Sequence, residues 1–296
     1  MKILKFFGWA LLGLFVLFLV LLIIMAVFDY TTDDTEVKTV ERKTNPMTED
    51  CIKLFSAYLQ KENGITILEE LLSNAVDSDL VLFQNGEEAL SKKIESEFEF
   101  HNVYFSFTKR SPVSFSSAGR VSFMDFSGMY SLSSFSPKNV RKLLLPTDTN
   151  WFNSLLSPTP ALQILEFENK GKSLYVINLD NEMCGQMESQ EINTLRLDYI
   201  KHSIIETFPQ DACIVIAGNW QNTFPGQSIT KEEGNGNDNL IPSDWTKTGW
   251  QWVYHPEEMS GYGVLVSETI QIENIEFLSS ASENSPTAIS LLLCLE

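Results

Sequence analysis

The stretch IVIAGNWQNTFPG, residues 214–226, places polar side chains directly after an apolar, β-branched run. In an α/β protein, the end of such a strand is where ligands and metal ions commonly bind. Two carboxamides, Asn219 and Gln221, stand where a carboxylate would be expected. An amide oxygen can orient a polar ligand, but it lacks the negative charge with which a carboxylate holds Mg²⁺. The segment therefore predicts either an active site or the remains of one.

The elements that would position this strand end alternate between strands and helices. CIKLFSAYL predicts a strand, ITILEELLSNAV an amphipathic helix and DLVLFQN a short buried strand, which together form a βαβ unit. Residues 102–136 predict several strands and hairpins, and residues 161–181 a hairpin that turns at residues 169–171. An amphipathic helix (193–208), a buried strand (212–220) and two closing strands (262–278 and 286–296) follow. This order predicts an α/β sandwich of two packed sheets.

Four segments of the chain end in polar residues: LVLFQN, LYVINLDN, IVIAGNWQNTFPG and SSASENSPTAISLLL. In this order they resemble four strands of the endonuclease/exonuclease/phosphatase family, which carry Gln-Glu, Asn-x-His, Gly-Asp-x-Asn and Ser-Asp-His-x-Pro. CIKLFSAYL is similar to the opening strand of that family, and GYGVLVSETI to its strand beginning Ile-Asp-Gly. The resemblance covers most of residues 51–296. It implies a four-layer, DNase I-like α/β sandwich, a fold whose family members hydrolyse phosphate esters with a divalent cation.

The resemblance also assigns the family's catalytic positions, and most of them differ in residue type here. In chain order they correspond to Tyr58, Asn85, Asn178, Asp180, Asn219, Gln221, Tyr262, Glu283 and Asn284. Only Asn178 keeps the family's residue type. Asn85 and Asn219 replace acids and so remove the charge that attracts a cation, while Asn284 replaces the histidine that activates water. The resemblance therefore implies a degenerate site with no catalytic residue, no metal ion and no other cofactor.

Two functions remain compatible with these residues. The first is a catalytically inactive pseudoenzyme that binds an unknown protein or a polar small molecule through the inherited cleft. The second is a phosphoesterase with a rebuilt site, in which Asp180 and Glu283 share Mg²⁺ or another divalent cation. The first does not require Asp180 and Glu283 to form a new metal site, and it is the function that we predict.

The N-terminal residues predict a single membrane span. Residues 6–28, FFGWALLGLFVLFLVLLIIMAVF, carry no charge and would extend roughly 34 Å as a helix, with no convincing signal-peptidase site. Lys2 and Lys5 precede the span and Asp29, Asp33 and Asp34 follow it, so the positive-inside rule places residues 1–5 in the cytoplasm. Residues 29–48 predict a polar juxtamembrane tether, and residues 49–296 an extracytoplasmic domain.

The net charge bears on the class of partner that the protein can bind, and the cysteines bear on the compartment in which it folds. The formal net charge of −18 repels phosphate polyanions and disfavours nucleic acid as a partner. The four cysteines show no metal-ligand spacing. Cys213 and Cys294 lie in apolar runs, which predicts small core residues. An extracytoplasmic domain could form a disulfide, but the sequence names no pairing.

Overall fold

The structure of the protein is a computed structural model. It describes residues 36–59, 65–115, 121–147, 159–181, 190–225, 241–246, 249–255, 261–279 and 286–296, together with residues 9, 11–20 and 23 near the N-terminus. Residues 11–20 are helical. Within these ranges, we find no helix with the length and apolar character needed to cross a membrane. The predicted span, residues 6–28, lies only partly inside the described residues.

Thirteen strands form two sheets in the described part of the chain. Sheet 1 contains β1 (Lys38–Val40), β2 (Cys51–Tyr58), β3 (Leu80–Glu87), β4 (Asn102–Phe115), β5 (Val121–Ser133), β12 (Ile270–Ser279) and β13 (Pro286–Leu295). Its strand order is β1-β4-β5-β3-β2-β13-β12. Sheet 2 contains β6 (Asn139–Leu144), β7 (Ala161–Asn169), β8 (Lys172–Asp180), β9 (Cys213–Asn219), β10 (Gln251–Tyr254) and β11 (Tyr262–Val266), in the order β10-β11-β9-β8-β7-β6.

Helices connect the two parallel strand pairs, β2 with β3 and β8 with β9. Helix α1 (Ile65–Ala75) joins the first pair, and α2 (Ser91–Glu97) follows a 3-10 turn at Glu88–Leu90. Helix α3 (Gln190–Asp198) joins the second pair and continues as a π-helical segment (Tyr199–Ile204) and a 3-10 turn (Ile205–Thr207). Parallel neighbours need such a crossover because the end of the first strand and the start of the second lie at opposite edges of the sheet.

The apolar residues form three clusters that separate four layers. The central cluster contains Leu54 and Leu291 of sheet 1 and Val176 and Val215 of sheet 2, so it lies between the sheets. A second cluster packs the outer face of sheet 1 against α1 and α2. The third packs the outer face of sheet 2 against α3 and its extension. Burial of both faces of each sheet explains the near-continuous apolar runs of the central strands, and the predicted two-sheet α/β architecture is confirmed.

Three expectations are corrected by the structure. The segment predicted as tether contains β1, which pairs with β4, and Met47, which is buried between the sheets. Residues 262–278 form two strands rather than one, because Ile270 N–H donates to the Ser267 carbonyl in a turn between them. Cys294 is not a free core residue: it lies opposite Cys51 in the β13–β2 register and forms a disulfide with it. Cys213 is free and buried, as predicted.

Candidate functional site

The ends of the parallel strands bring several of the predicted site residues to one edge of the sandwich. In sheet 2, Asn219 lies between Asp180 of β8 and Tyr262 of β11 in the strand register. In sheet 1, Tyr58 lies opposite Gln84. The βαβ topology explains this, since parallel strands joined by a helix all end at the same edge.

A buried hydrogen-bond network joins the two sheets at this edge. The Tyr262 hydroxyl donates to Gln84 Oε1 at 2.9 Å and lies 2.6 Å from the Ser56 hydroxyl oxygen. Gln84 Nε2 in turn donates to Asn178 Oδ1 at 2.7 Å. Ser56, Gln84 and Asn178 have no exposed surface and Tyr262 almost none. The network therefore replaces water with protein partners on both sides of the sheet interface.

Asn178 is the aligned position that keeps the residue type of the family. It lies in β8 of sheet 2, but its side chain hydrogen-bonds to residues of sheet 1. Its Nδ2 donates to the Tyr130 carbonyl at 2.9 Å, with the Phe83 carbonyl at 3.3 Å and the Ser131 hydroxyl at 3.2 Å. Its Oδ1 accepts the bond from Gln84. Both ends of this carboxamide are engaged inside the protein, so Asn178 acts as a clamp between the sheets.

Asn85 lies at an irregular point of the β3 backbone and bonds to the residue that follows β2. It has φ of 55°, in the left-handed region, and lies where the β3–β5 register shifts between Phe83 and Gly86. Such a bulge re-aims a side chain at a strand end. The Asn85 Nδ2 donates to the Leu59 carbonyl at 3.1 Å. The residue aligned with a metal-binding glutamate therefore uses its amide to hold the end of β2.

The loop after β9 also uses a carboxamide to shape the backbone. Gln221 has φ of 55°, and its N–H donates to Asn219 Oδ1 at 3.2 Å. An Asn side chain that accepts a bond from the backbone two residues ahead stabilises a turn. Asn219 is buried, and its side-chain oxygen supports the turn that follows the strand.

Gly218 permits the close approach of β9 to β8 just before this turn. Its φ is 143°, and a Cβ added there would overlap the Leu179 carbonyl oxygen. The glycine of the Gly-Asp-x-Asn segment therefore keeps a structural purpose, because it lets Asn219 lie beside Asp180.

Asp180 places one carboxylate at this edge. It is fully buried, and the Thr108 hydroxyl donates to its Oδ2 at 3.3 Å. Burial raises the pKa of the nearby Tyr262 phenol well above its usual value; its hydrogen bonds with Ser56 and Gln84 act in the opposite direction, and the charge of Asp180 raises it further. Tyr262 is therefore a neutral hydroxyl and serves as a donor, not as a base.

The side chains that could coordinate a metal at this edge do not fit the divalent cation that the fold implies. Sites for Mg²⁺ and Ca²⁺ usually include carboxylate oxygens, whereas Asn85, Asn178 and Asn219 are neutral amides. The side-chain oxygens of Asn178 and Asn219 already accept hydrogen bonds from the protein. Nowhere in the described ranges do three His, Cys, Asp or Glu side chains lie close enough to hold a metal ion. The predicted residues Glu283 and Asn284 lie outside those ranges.

Gln84 and Ser56 are site residues that the sequence interpretation missed. The signal was present: a glutamine and a serine each interrupt an apolar strand, and a buried polar side chain must find a partner. A second polar cluster was missed beside it, in which the buried Arg196 donates to the Pro146 carbonyl at 2.8 Å and to Asn181 Oδ1 at 3.2 Å. Asn181 Nδ2 donates to the Trp220 carbonyl at 2.9 Å, so this cluster supports the loop after β9.

The sequence and the fold were compared with those of known proteins. No family model matches the sequence, and no curated protein is significantly similar to it. Solved structures are similar in fold: a humanized D. rerio TDP2 (TM-score 0.54, 11% identity, 83% of this chain and 99% of that one) and an endonuclease/exonuclease/phosphatase from Beutenbergia cavernae (TM-score 0.57, 11% identity, 83% and 72%). A third is ANGEL2, a 2′,3′-cyclic phosphatase in complex with adenosine-2′,3′-vanadate (TM-score 0.55, 12% identity, 89% and 99%). The chain thus has the two-sheet, DNase I-like α/β fold of the endonuclease/exonuclease/phosphatase structures.

Proposed function

We propose that this domain is a catalytically inactive relative of the metal-dependent phosphoesterases, which binds a protein or a polar small molecule and does not hydrolyse phosphate esters. The observation that carries the proposal is the closed network of Tyr262, Gln84, Ser56 and Asn178 between the sheets. Every one of these groups is buried and bonded to the protein. A catalytic edge would instead keep charged oxygens free for a cation and a phosphate.

Electrostatics supports the same conclusion. A divalent cation must lose part of its hydration on binding, and carboxylates compensate for that loss far better than amides do. Asp180, which is fully buried, is the one acid among the family-aligned positions that the structure describes. The chain's formal net charge of −18 also repels a phosphate that arrives without a cation.

A titration with Mn²⁺ tests this proposal, because Mn²⁺ substitutes for Mg²⁺ and its free form is counted directly by electron paramagnetic resonance. We expect the full chain and its Asp180→Asn variant to bind Mn²⁺ equally and weakly. The matched control is Glu191→Gln, which removes an exposed acid on α3. A tight site that disappears in Asp180→Asn and persists in Glu191→Gln would support a rebuilt metal site that uses Asp180 and Glu283, and would overturn the proposal.

We further propose that residues 6–28 anchor the chain in a membrane, with the domain outside the cytoplasm. Every large apolar side chain among residues 11–20 is at least 41% exposed, so the protein itself does not cover this helical segment. The Cys51–Cys294 disulfide supports the orientation, since disulfides persist in oxidising compartments.

Protease accessibility tests the orientation. We expect protease added to intact spheroplasts that express the full chain to release the domain, while a cytoplasmic marker protein stays intact. Complete protection of the domain, with digestion only after the cells are permeabilised, would place it on the cytoplasmic side and contradict the proposal.

A further inference from the structure

A small pocket lies on the outer side of sheet 2, between the helical segment that continues α3 and the residues that precede β10. Six side chains line it: Lys201, Ile205, Glu206, Trp245, Thr246 and Trp250. The pocket contains about 250 Å³ of space, part of which is open to solvent. Ligand pockets usually measure about 300–1,000 Å³, so this smaller one fits a ligand of the size of a single amino acid.

This pocket is separate from the edge of the sandwich at which the parallel strands end, here called the strand-end edge. Trp250 directly precedes β10, whose first residue pairs with Val266, and Val266 pairs with Val215 near the start of β9. Asn219 marks the strand-end edge at the other end of β9. The pocket therefore does not depend on the function proposed for that edge.

An irregular helix brings two opposite charges to the pocket. Lys201 and Glu206 are five residues apart, a spacing that would separate them by about 140° around a regular α-helix. Here Tyr199–Ile204 form a π-helical turn, in which hydrogen bonds join residues five positions apart. Both side chains consequently line the same space. Turns of this kind are frequent at functional sites.

The two charges suit a ligand that carries both signs. Lys201 forms no ion pair within the described part of the chain. Glu206 lies 2.9 Å from His202 Nδ1 and its side chain remains 44% exposed, so its carboxylate can accept a further hydrogen bond. A zwitterion would complement the lysine and the glutamate together. Because it has no net charge, the formal net charge of −18 does not repel it as it would repel an anion.

Trp245 adds a hydrogen-bond donor that the protein does not satisfy. Its side chain is only 5% exposed, and its Nε1 has no acceptor among the described residues. In contrast, the Nε1 of the neighbouring Trp220 donates to the Gly263 carbonyl at 3.2 Å. A buried donor without a partner is destabilising. A ligand that brought a carboxylate oxygen to Trp245 would satisfy this donor.

We propose that the pocket binds a free amino acid with an aromatic side chain. The carboxylate of the ligand accepts hydrogen bonds from Lys201 and from Trp245 Nε1, and its ammonium group donates to Glu206. The aromatic ring packs against Ile205 and Trp250, which belong to the apolar cluster on this face of sheet 2. Contact between two aromatic rings adds to the gain from burial alone, which favours an aromatic side chain over a polar one.

The test measures binding to the full chain in a mild detergent by fluorine NMR, with protein-free detergent as the blank. Three probes share one ring. Para-fluoro-L-phenylalanine carries both charges, para-fluorophenylpropionate lacks the ammonium group, and para-fluorophenethylamine lacks the carboxylate. We expect the amino acid to bind at least about fivefold more tightly than either analogue, because each analogue loses one charged hydrogen-bonding group.

Substitutions should reduce these preferences one at a time. Lys201→Gln should reduce the advantage of the amino acid over the amine, and Glu206→Gln its advantage over the propionate, each by at least about threefold. Trp245→Phe keeps a ring and removes the N–H, so it should weaken both carboxylate probes by at least about fivefold and the amine much less. The matched controls Lys92→Gln and Glu97→Gln, which remove exposed charges on α2, should bind all three probes as the unaltered chain does.

Two kinds of result would overturn the proposal. One is equal binding of the three probes, or no binding of the amino acid, by the unaltered chain. The other is an effect of Lys92→Gln as large as that of Lys201→Gln, which would indicate general charge attraction. Glu206 is exposed and Lys201 is not fully buried, so the two substitutions at the pocket leave the core intact.

Discussion

Replacing Tyr262 with Phe tests whether the inter-sheet network stabilises the fold. The substitution removes one hydroxyl and keeps the ring, so the packing between the sheets is preserved. It deletes the 2.9 Å bond to Gln84 Oε1 and the 2.6 Å contact with the Ser56 hydroxyl, and it leaves a fully buried acceptor without its donor. An unsatisfied buried group costs about 1–3 kcal/mol, which is the loss in the free energy of unfolding that we expect.

Urea unfolding, followed by tryptophan fluorescence, measures this loss against a matched control. Tyr254→Phe also removes one tyrosine hydroxyl, which donates to the Pro225 carbonyl at 2.9 Å in a partly buried position. Water can replace that partner, so we expect about 0.5–1 kcal/mol from the control. The double variant Tyr262→Phe/Gln84→Met should be less destabilised than the sum of its parts, because removal of both partners leaves fewer groups unsatisfied. A cost for Tyr262→Phe no larger than for Tyr254→Phe would refute the network as a source of stability.

Three further changes should alter stability in defined directions. Burial lowers the pKa of His101 below its ordinary value of 6.5, so below that pH the unfolded chain binds a proton that the folded chain takes up less readily. The free energy of unfolding should therefore fall as the pH drops below about 6.5, and it should fall less in His101→Gln. Urea midpoints measured from pH 5 to 8 test this. Cys51→Ser/Cys294→Ser should lower the free energy of unfolding by about 2–5 kcal/mol, because the disulfide closes a loop between residues 243 apart. Gly218→Ala should lower the thermal midpoint by several degrees, since its Cβ would overlap the Leu179 carbonyl.

Each of these changes has an outcome that contradicts its reasoning. If the stability of the unaltered chain and that of His101→Gln depend on pH in the same way, this histidine does not cause the loss of stability at low pH. The double cysteine variant is compared with Cys213→Ala, which controls for the loss of a thiol. Unchanged stability in the double variant would show that the disulfide does not stabilise the fold. A neutral Gly218→Ala would mean that β8 and β9 separate without cost.

Local patterns were sufficient to predict the centre of the fold. The strand, helix and strand of residues 51–87 follow from one apolar stripe between two apolar runs, and the structure forms β2, α1 and β3 there. Strand β1 was missed because its three residues, KTV, carry no local signal and owe their conformation to pairing with β4. The disulfide was beyond the sequence for a similar reason, since its register depends on β13 returning beside β2.

The site shows the same division between local and long-range information. The family pattern led to Asn178, Asp180, Asn219 and Tyr262, which the strand register places along one edge. It did not reveal that Tyr262 bonds to Gln84 across the sheets. That pairing joins residues 178 positions apart in the chain and depends on how the two sheets pack, which no local pattern specifies.

Catalytic turnover is the most direct test of the central claim, that the strand-end edge is no longer a hydrolytic site. The full chain is assayed against p-nitrophenyl phosphate and bis-p-nitrophenyl phosphate with Mg²⁺, Mn²⁺ and Ca²⁺ supplied in turn, beside Asp180→Ala and Glu283→Ala. We predict that all three proteins release p-nitrophenol at the rate of the protein-free blank. Metal-dependent turnover by the unaltered chain that is lost in both variants would contradict the account and establish a rebuilt active site.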